Sequence, residues 1–352
     1  MKTIRIDASA SYDAVIGAGL LAEAGERIAA LAGKVRVMLV SDERVYALYG
    51  QALLESLRRA GLETAQFVFP QGEREKNLTT YGSLLEALYQ KRFTRRDWIA
   101  ALGGGVVGDL AGFAAATYQR GIPFMQLPTT LLAAVDASVG GKTAVDLAEG
   151  KNQVGAFYQP RLVLCDTDCL DTLPEEEYRC GCAEIVKYAM IGDPSLFENL
   201  SRTPVKARYE EVIARCVAMK GHYVRADEFD TGERMKLNFG HSFGHAAEVC
   251  SGYTLPHGEA VAMGMAVMSR SAAEAGYCSR ETADALEGLL RSYGLPTELP
   301  YPAEALAQAA RWDKKAAGDH LRLVVPETIG RCRIETVPAG EVLTWLRRGG
   351  VQ

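Results

Sequence analysis

The sequence predicts an α/β domain with a mostly parallel sheet over residues 1–170, followed by an all-α domain over 171–352. Three observations predict it. Strand and helix signals alternate through the first half, the pattern of a parallel sheet covered on both faces. A glycine-rich turn, Gly103-Gly-Gly-Val-Val-Gly108, stands between a strand signal and a helix signal. From about Asp171 strand signals nearly vanish and apolar residues recur at helical spacing. The length of 352 residues fits two domains.

The elements follow in order. Val35-Arg-Val-Met-Leu-Val40 is a buried strand ending at Ser41-Asp42, and Arg44 to Arg59 has helical spacing at Val45, Leu48, Leu53 and Leu57. Thr64-Ala-Gln-Phe-Val-Phe69 is a strand stopped by Pro70, and Leu78, Tyr81, Leu84, Leu85 and Leu88 mark an amphipathic helix. Asp97-Trp-Ile-Ala-Ala-Leu102 runs into the glycine turn, and Gly121 to Leu127 and Arg161 to Cys165 are short strands. Helices are predicted over 174–190, 210–225, 241–249, 259–275 and 283–293, with one late strand signal at Leu321-Arg-Leu-Val-Val325.

Composition narrows the class. The chain is 48% hydrophobic and 24% charged, an ordinary globular mixture. Its net charge of −5 creates no general field for nucleic acid. No apolar run reaches the roughly 18 residues of a membrane span. The N-terminus, Met1-Lys-Thr-Ile-Arg-Ile-Asp7, alternates polar and apolar residues and does not read as a signal peptide, so a cytoplasmic location is expected. The 8 cysteines are accordingly expected as free thiols. Cys180-Gly-Cys182 lacks the second cysteine pair that a zinc site would need.

Two stretches carry chemistry. Gly103, Gly105 and Gly108 fit G-x-G-x-x-G in the context that lets helix-start N–H groups hold a pyrophosphate. No acidic residue stands about twenty positions on, where a ribose partner belongs. Asp42, at the end of an earlier parallel strand, takes that role better. The second stretch holds three of the chain's 5 histidines, His241, His245 and His257. His241 and His245 share one helix face, and a loop then returns the chain so that His257 opens the next helix. Imidazole is the commonest ligand of divalent transition metals, and a catalytic zinc takes three protein ligands. Glu184 and Lys187 add an acid–base pair elsewhere.

The chain resembles the 3-dehydroquinate synthases, within the sugar-phosphate cyclases. The resemblance rests on the run Gly103 to Tyr118, Arg120-Gly-Ile-Pro123, Pro128-Thr-Thr-Leu-Leu132, Val135-Asp-Ala-Ser-Val-Gly-Gly-Lys-Thr143 and Gly150-Lys-Asn152. It continues through Ala183-Glu-Ile-Val-Lys187, Asp227-Glu228, Asn238-Phe-Gly-His-Ser-Phe-Gly-His245, His257-Gly-Glu259 and Asp313-Lys-Lys315. Ser242, Ala137 and Asp146 depart from the residues usual there.

The resemblance implies a Rossmann-like NAD-binding domain, an all-α metal- and substrate-binding domain, and a homodimer. It implies one divalent metal, zinc or cobalt, on Glu184, His241 and His257, with His245 on the substrate side. NAD contacts fall on Asp42, Glu73, Lys76, Gly104, Gly105, Asp109, Thr129, Thr130, Lys142, Lys151 and Thr172. Substrate contacts fall on Asp136, Lys142, Lys151, Asn152, Lys187, Lys220, Arg234, Asn238, His245 and Lys315. Arg120 is a phosphate-side residue that reaches the neighbouring subunit. Lys142, Lys187, His245, Glu184 and Asn152 form the catalytic set. The family's substrate, 3-deoxy-D-arabino-heptulosonate 7-phosphate, carries a carboxylate and a phosphate, which explains a basic cluster on an acidic chain. Three other readings share parts of this pattern: another sugar-phosphate cyclase, a metal-dependent polyol dehydrogenase, and a non-catalytic NAD sensor. The dehydrogenase would need no phosphate- and carboxylate-binding set. An intact Glu184, His241 and His257 set argues against the sensor.

Overall fold

The structure, a computed structural model, describes residues 1–148, 150–312 and 319–352. In chain order the first strands are β1 (Lys2–Ile6) and β2 (Tyr12–Gly17), then α1 (Ala24–Ala32), β3 (Arg36–Asp42), α2 (Glu43–Val45), α3 (Gln51–Arg59) and β4 (Glu63–Phe69). Next come α4 (Leu78–Gln90), β5 (Trp98–Gly103), α5 (Gly105–Thr117), β6 (Phe124–Pro128), β7 (Lys142–Leu147), β8 (Gly150–Phe157) and β9 (Leu162–Asp166). The remainder is α6 (Glu175–Gly192), α7 (Pro194–Arg202), α8 (Tyr209–Ala226), α9 (His241–Cys250), α10 (His257–Glu274), α11 (Arg280–Ser292), α12 (Ala303–Trp312), β10 (His320–Thr328), β11 (Arg331–Pro338) and α13 (Val342–Arg348).

The chain forms two compact units: 1–174 with 209–229, and 175–208 with 230–352. The first holds a 7-stranded sheet in the order β1-β2-β9-β6-β5-β3-β4. All pairings are parallel except the β1–β2 hairpin at one edge. Alternation along β3 shows why both faces are covered. Val37 and Leu39 join a core with Ile28, Leu53 and Leu57, while Met38 and Val40 join another with Leu84, Leu88 and Leu110. The helix expected over 44–59 forms, with a π turn at Tyr46–Gly50 inside it.

The structure moves one helix across the expected domain boundary. α8 was expected within the 171–352 domain, but residues 209–229 belong to the first unit. The cause is apolar: α8 packs on β1 and β2, and Val212, Ile213, Val217 and Val224 are buried. Gly221 admits the tip of Ile6, which would lie 2.8 Å from an added Cβ.

The second unit is helical, with α10 at its centre against α6, α9, α11 and α13. Besides its helices it carries one hairpin. The strand signal at Leu321 to Val325 is β10, which pairs with β11 around Gly330 and packs on α6 and α10. No helix among the described residues is long and apolar enough to cross a membrane, and all eight cysteines are free.

Candidate functional site

In the first unit the register aligns the strand ends that matter. Asp42 pairs with Phe69, Ser41 with Leu102, and Gly103 with Pro128, so β4, β3, β5 and β6 finish in one row. The sequence leaves β3 toward β4 on one side, and β5 toward β6 on the other. That is a topological switch point, where open α/β sheets bind ligands. α5 begins there from Gly104, which offers no side chain to cap the first-turn N–H groups. Beside it, Thr129 donates its N–H to Gly103 O at 3.0 Å, yet its buried Oγ1 has no partner among the described residues. A Cβ on Gly105 would meet only Ala137, at an ordinary 3.6 Å. The chain's own packing therefore does not demand glycine at 105, whereas a phosphate lying on its N–H would. These residues fit a dinucleotide.

Lys76 anchors the polar cluster of this unit. It is 4% exposed, and its Nζ lies 3.1 Å from Glu73 Oε1 and 3.2 Å from Asp109 Oδ2. Burial alone would lower its pKa, but the Asp109 and Glu73 carboxylates raise it above the ordinary lysine value. Burial pushes Asp109 up to about 6 against the pull of Lys76. Lys220, delivered by α8, bonds Asp136 twice, 2.7 Å to Oδ1 and 2.8 Å to the backbone O. Lys142 opens β7 and is exposed, Lys151 is half-buried, and Asn152 is exposed with a left-handed φ of 56°.

Other expected cofactor residues are partly occupied. Asp42 ends β3 as expected and caps α2 through Oδ1 to Val45 N at 2.9 Å. Thr172 Oγ1 bonds the Tyr49 hydroxyl at 2.6 Å, and Thr130 Oγ1 accepts from Ala133 N at 3.1 Å. Arg120 is exposed at φ 66° and makes no hydrogen bond or ion pair among the described residues.

In the second unit three helices supply the metal-type ligands: Glu184 from α6, His241 from α9 and His257 from α10. Glycines let these helices approach. A Cβ on Gly258 would stand 2.2 Å from Cys180 Cα, one turn before Glu184. A Cβ on Gly264 would stand 2.0 Å from Gly240 O, beside His241. The result brings one ligand atom from each of the three residues within 4.8 Å of one another. His241 Nε2 and His257 Nε2 each lie 3.5 Å from Glu184 Oε1. The far nitrogens are held from behind: His241 Nδ1 donates to Phe239 O at 3.2 Å, and His257 Nδ1 lies 3.4 Å from Glu248 Oε1. Such backing carbonyls and carboxylates fix the tautomer of a metal-bound histidine.

The two imidazoles differ in charge. Burial lowers His241 to about 3, so it is the neutral ligand form. Burial also pulls on His257, but Glu184 and Glu248 outweigh it and raise it to about 9. A metal entering there would release a proton. Lys187 is buried and ion-paired with Glu184 one helical turn away. The residues present fit one divalent ion.

A second group, His245, Glu248 and His257, also has ligand atoms within 4.8 Å of one another. It shares His257 with the first, so His245 lies beside the proposed metal ligands. Arg234, 1% exposed, and Asn238 lie on the turn Glu233–Asn238 that leads into α9. Lys315 lies outside the described residues.

Sequence reasoning missed Glu248, although its signal was present: it is three residues after His245 and seven after His241, on the same face of α9. It also gave Glu228 no role. That carboxylate accepts from Ser9 N at 2.8 Å, Ser9 Oγ at 2.7 Å and Gln159 Nε2 at 2.9 Å. It clamps the loop between β1 and β2 to the segment after β8.

Comparison with known proteins places the chain in a family. A family model described as 3-dehydroquinate synthase N-terminal matches residues 66–180, and one described as 3-dehydroquinate synthase C-terminal matches 181–316. The chain is 47% identical over 336 residues to a 3-dehydroquinate synthase of Caulobacter vibrioides, covering 91% of this chain and 90% of that one. It is similar to the solved 2-deoxy-scyllo-inosose synthase complexed with carbaglucose-6-phosphate, NAD+ and Co2+, with TM-score 0.89, 26% identity, and 99% and 100% of the two chains covered. It is also similar to 2-epi-5-epi-valiolone synthase from Streptomyces hygroscopicus subsp. jinggangensis with NAD+ and Zn2+ bound, with TM-score 0.88, 28% identity and 99% of each chain covered.

Proposed function

The chain belongs to the 3-dehydroquinate synthase family, and from that premise we propose how its residues carry out the family's reaction. That reaction converts 3-deoxy-D-arabino-heptulosonate 7-phosphate to 3-dehydroquinate and phosphate in the shikimate pathway, with NAD and one divalent metal. The observation that carries the reading is the convergence of Glu184, His241 and His257, with both Nε2 atoms facing one carboxylate oxygen.

When bound, NAD supplies a hydride acceptor that later returns the hydride, and the metal supplies a Lewis acid at the oxidised oxygen. The α5 N-terminus and Thr129 hold the pyrophosphate, and Asp42 holds a ribose. Glu73, Lys76, Asp109, Thr130, Lys142, Lys151 and Thr172 complete the cofactor contacts. Lys142, Lys151, Asn152 and Lys220 bind substrate anions and hydroxyls from the first unit, with Asp136 orienting Lys220. Lys187, Arg234, Asn238, His245 and Lys315 are the other residues assigned to substrate. Holding one substrate through oxidation, phosphate elimination, reduction, ring opening and aldol closure makes positioning a large part of the catalysis. Arg120, exposed and without a hydrogen bond or ion pair among the described residues, suits a homodimer in which it reaches the partner's phosphate. The cytoplasm is the proposed location.

Redox cancels over one turnover, and this separates the reading from a dehydrogenase. With substoichiometric NAD, phosphate should accumulate through many turnovers. Reduced nicotinamide absorbance should show at most a transient no larger than the enzyme concentration. Reduced cofactor growing in step with product would instead identify a polyol dehydrogenase. Activity confined to a different heptulose phosphate would identify another cyclase.

Lys142→Ala and Arg234→Ala should each weaken a substrate analogue by about 10- to 100-fold, the worth of one charge-assisted hydrogen bond. NAD affinity should change far less in Arg234→Ala than in Lys142→Ala, because only Lys142 is assigned to both ligands. Calorimetry with each ligand separately checks this. Unchanged analogue affinity would place both side chains outside the substrate site.

A further inference from the structure

In the sequence Asp146 is only a departure from the residue usual there. In the structure it joins two parts of the first unit. Its backbone N–H donates to Lys76 O at 2.7 Å, and it bridges Asn77 outside the regular strands. Its carboxylate Oδ1 accepts from the Asn152 N–H at 2.7 Å and lies 3.9 Å from Lys76 Nζ. The β7–β8 register shifts between Val145 and Leu147, so Asp146 sits in a bulge, a device that re-aims side chains. Asn152, its partner, holds φ 56°, a left-handed conformation that asparagine adopts more readily than most residues but that still benefits from a local hydrogen bond.

We propose that Asp146 is a positioning residue: its carboxylate oxygen fixes Asn152 in that conformation, while its backbone N–H ties the β7–β8 hairpin to the Lys76 segment. The proposal rests on the assignment of Asn152 to substrate and Lys76 to cofactor. The acceptor oxygen does the holding, and the negative charge is secondary. Lys76 already has Glu73 and Asp109 closer, at 3.1 and 3.2 Å.

Three variants test this in the full-length, NAD- and metal-loaded enzyme. Asp146→Ala removes the acceptor. Asp146→Ser does the same with a polar group one bond too short, in case alanine does not fold. Asp146→Asn keeps an acceptor oxygen without charge. In Asp146→Ala or Asp146→Ser, KM for the heptulosonate phosphate should rise about 3- to 10-fold, the scale of one hydrogen bond, and NAD affinity should stay within about twofold. Asp146→Asn should restore KM. Amide hydrogen exchange at Asn152 should speed up in the first two and stay slow in the third. Exchange needs no substrate, so it judges the geometry even if the wild type fails to release phosphate, which would count against the functional reading alone. Unchanged exchange and KM in the acceptor-free variants would overturn the proposal. So would an Asp146→Asn enzyme as impaired as they are, since charge would then be what matters.

Discussion

Replacing His241 with alanine is expected to leave an enzyme that holds no divalent metal after dialysis, with turnover down by at least about 10²–10³-fold, the scale of losing one group that stabilises developing charge. The ligand set Glu184, His241 and His257 then keeps only two of its three members. His245→Ala should retain the metal and lose turnover, because its proposed role lies with the substrate. Elemental analysis of both proteins, beside a chelated and reloaded wild type, gives the answer. The prediction fails if His241→Ala binds a full equivalent. If His245→Ala also emptied, His245 would be a ligand with His241 and His257, and the three-histidine set would be the centre. The His257 pKa gives a sign for acid: metal must displace its proton, so apparent affinity should weaken as pH falls below about 9.

The second large effect concerns packing. In Gly264→Ala the new methyl would lie 2.0 Å from Gly240 O and 2.8 Å from Gly244 N, both backbone atoms that cannot rotate aside. The α9–α10 seam must open, at a cost of about 3 kcal/mol, the upper part of the range for overpacking. Metal affinity should fall with it, since His241 follows Gly240 directly. Gly288→Ala on α11 is the control, because nothing lies within 4 Å of its added Cβ. There the substitution should be neutral or stabilise by up to ~1 kcal/mol. Thermal melts and metal titration of the two variants decide it. A Gly264→Ala protein that melts and binds metal like the wild type would show that the seam is not tight.

Much of this was readable in the chain. The strands β3 and β5 follow from continuous apolar runs, β4 from Phe67-Val-Phe69 stopped by Pro70, and the glycine turn from its place between strand and helix. His241 and His257 were visible because histidine is scarce and helical spacing is local. Glu184 was not readable as their partner by spacing, because 57 positions separate it from His241 and only the packing of α6 on α10 joins them. The resemblance supplied that pairing. The β7–β8 hairpin went unread because half of β8 is exposed and its register is broken at Asp146. α8 was read as a helix but placed in the wrong unit, since an apolar face does not say which partner covers it.

That return of α8 has a consequence for how such a gene can be cut. The chain passes from one unit to the other after residues 174, 208 and 229, so neither unit is one uninterrupted stretch. A fragment ending at 174 would lack the helix that covers β1 and β2, and with it the lysine that pairs with Asp136. The two family models meet at 180/181, which assigns α8 to the C-terminal half. Recombination between two such genes at that junction would deliver a foreign α8 onto the recipient's β1–β2 hairpin. Chimeras joined there should therefore melt lower where the foreign α8 face, Gly221 included, does not match the recipient's β1 and β2, whereas exchanging 175–208 and 230–352 together leaves that packing native.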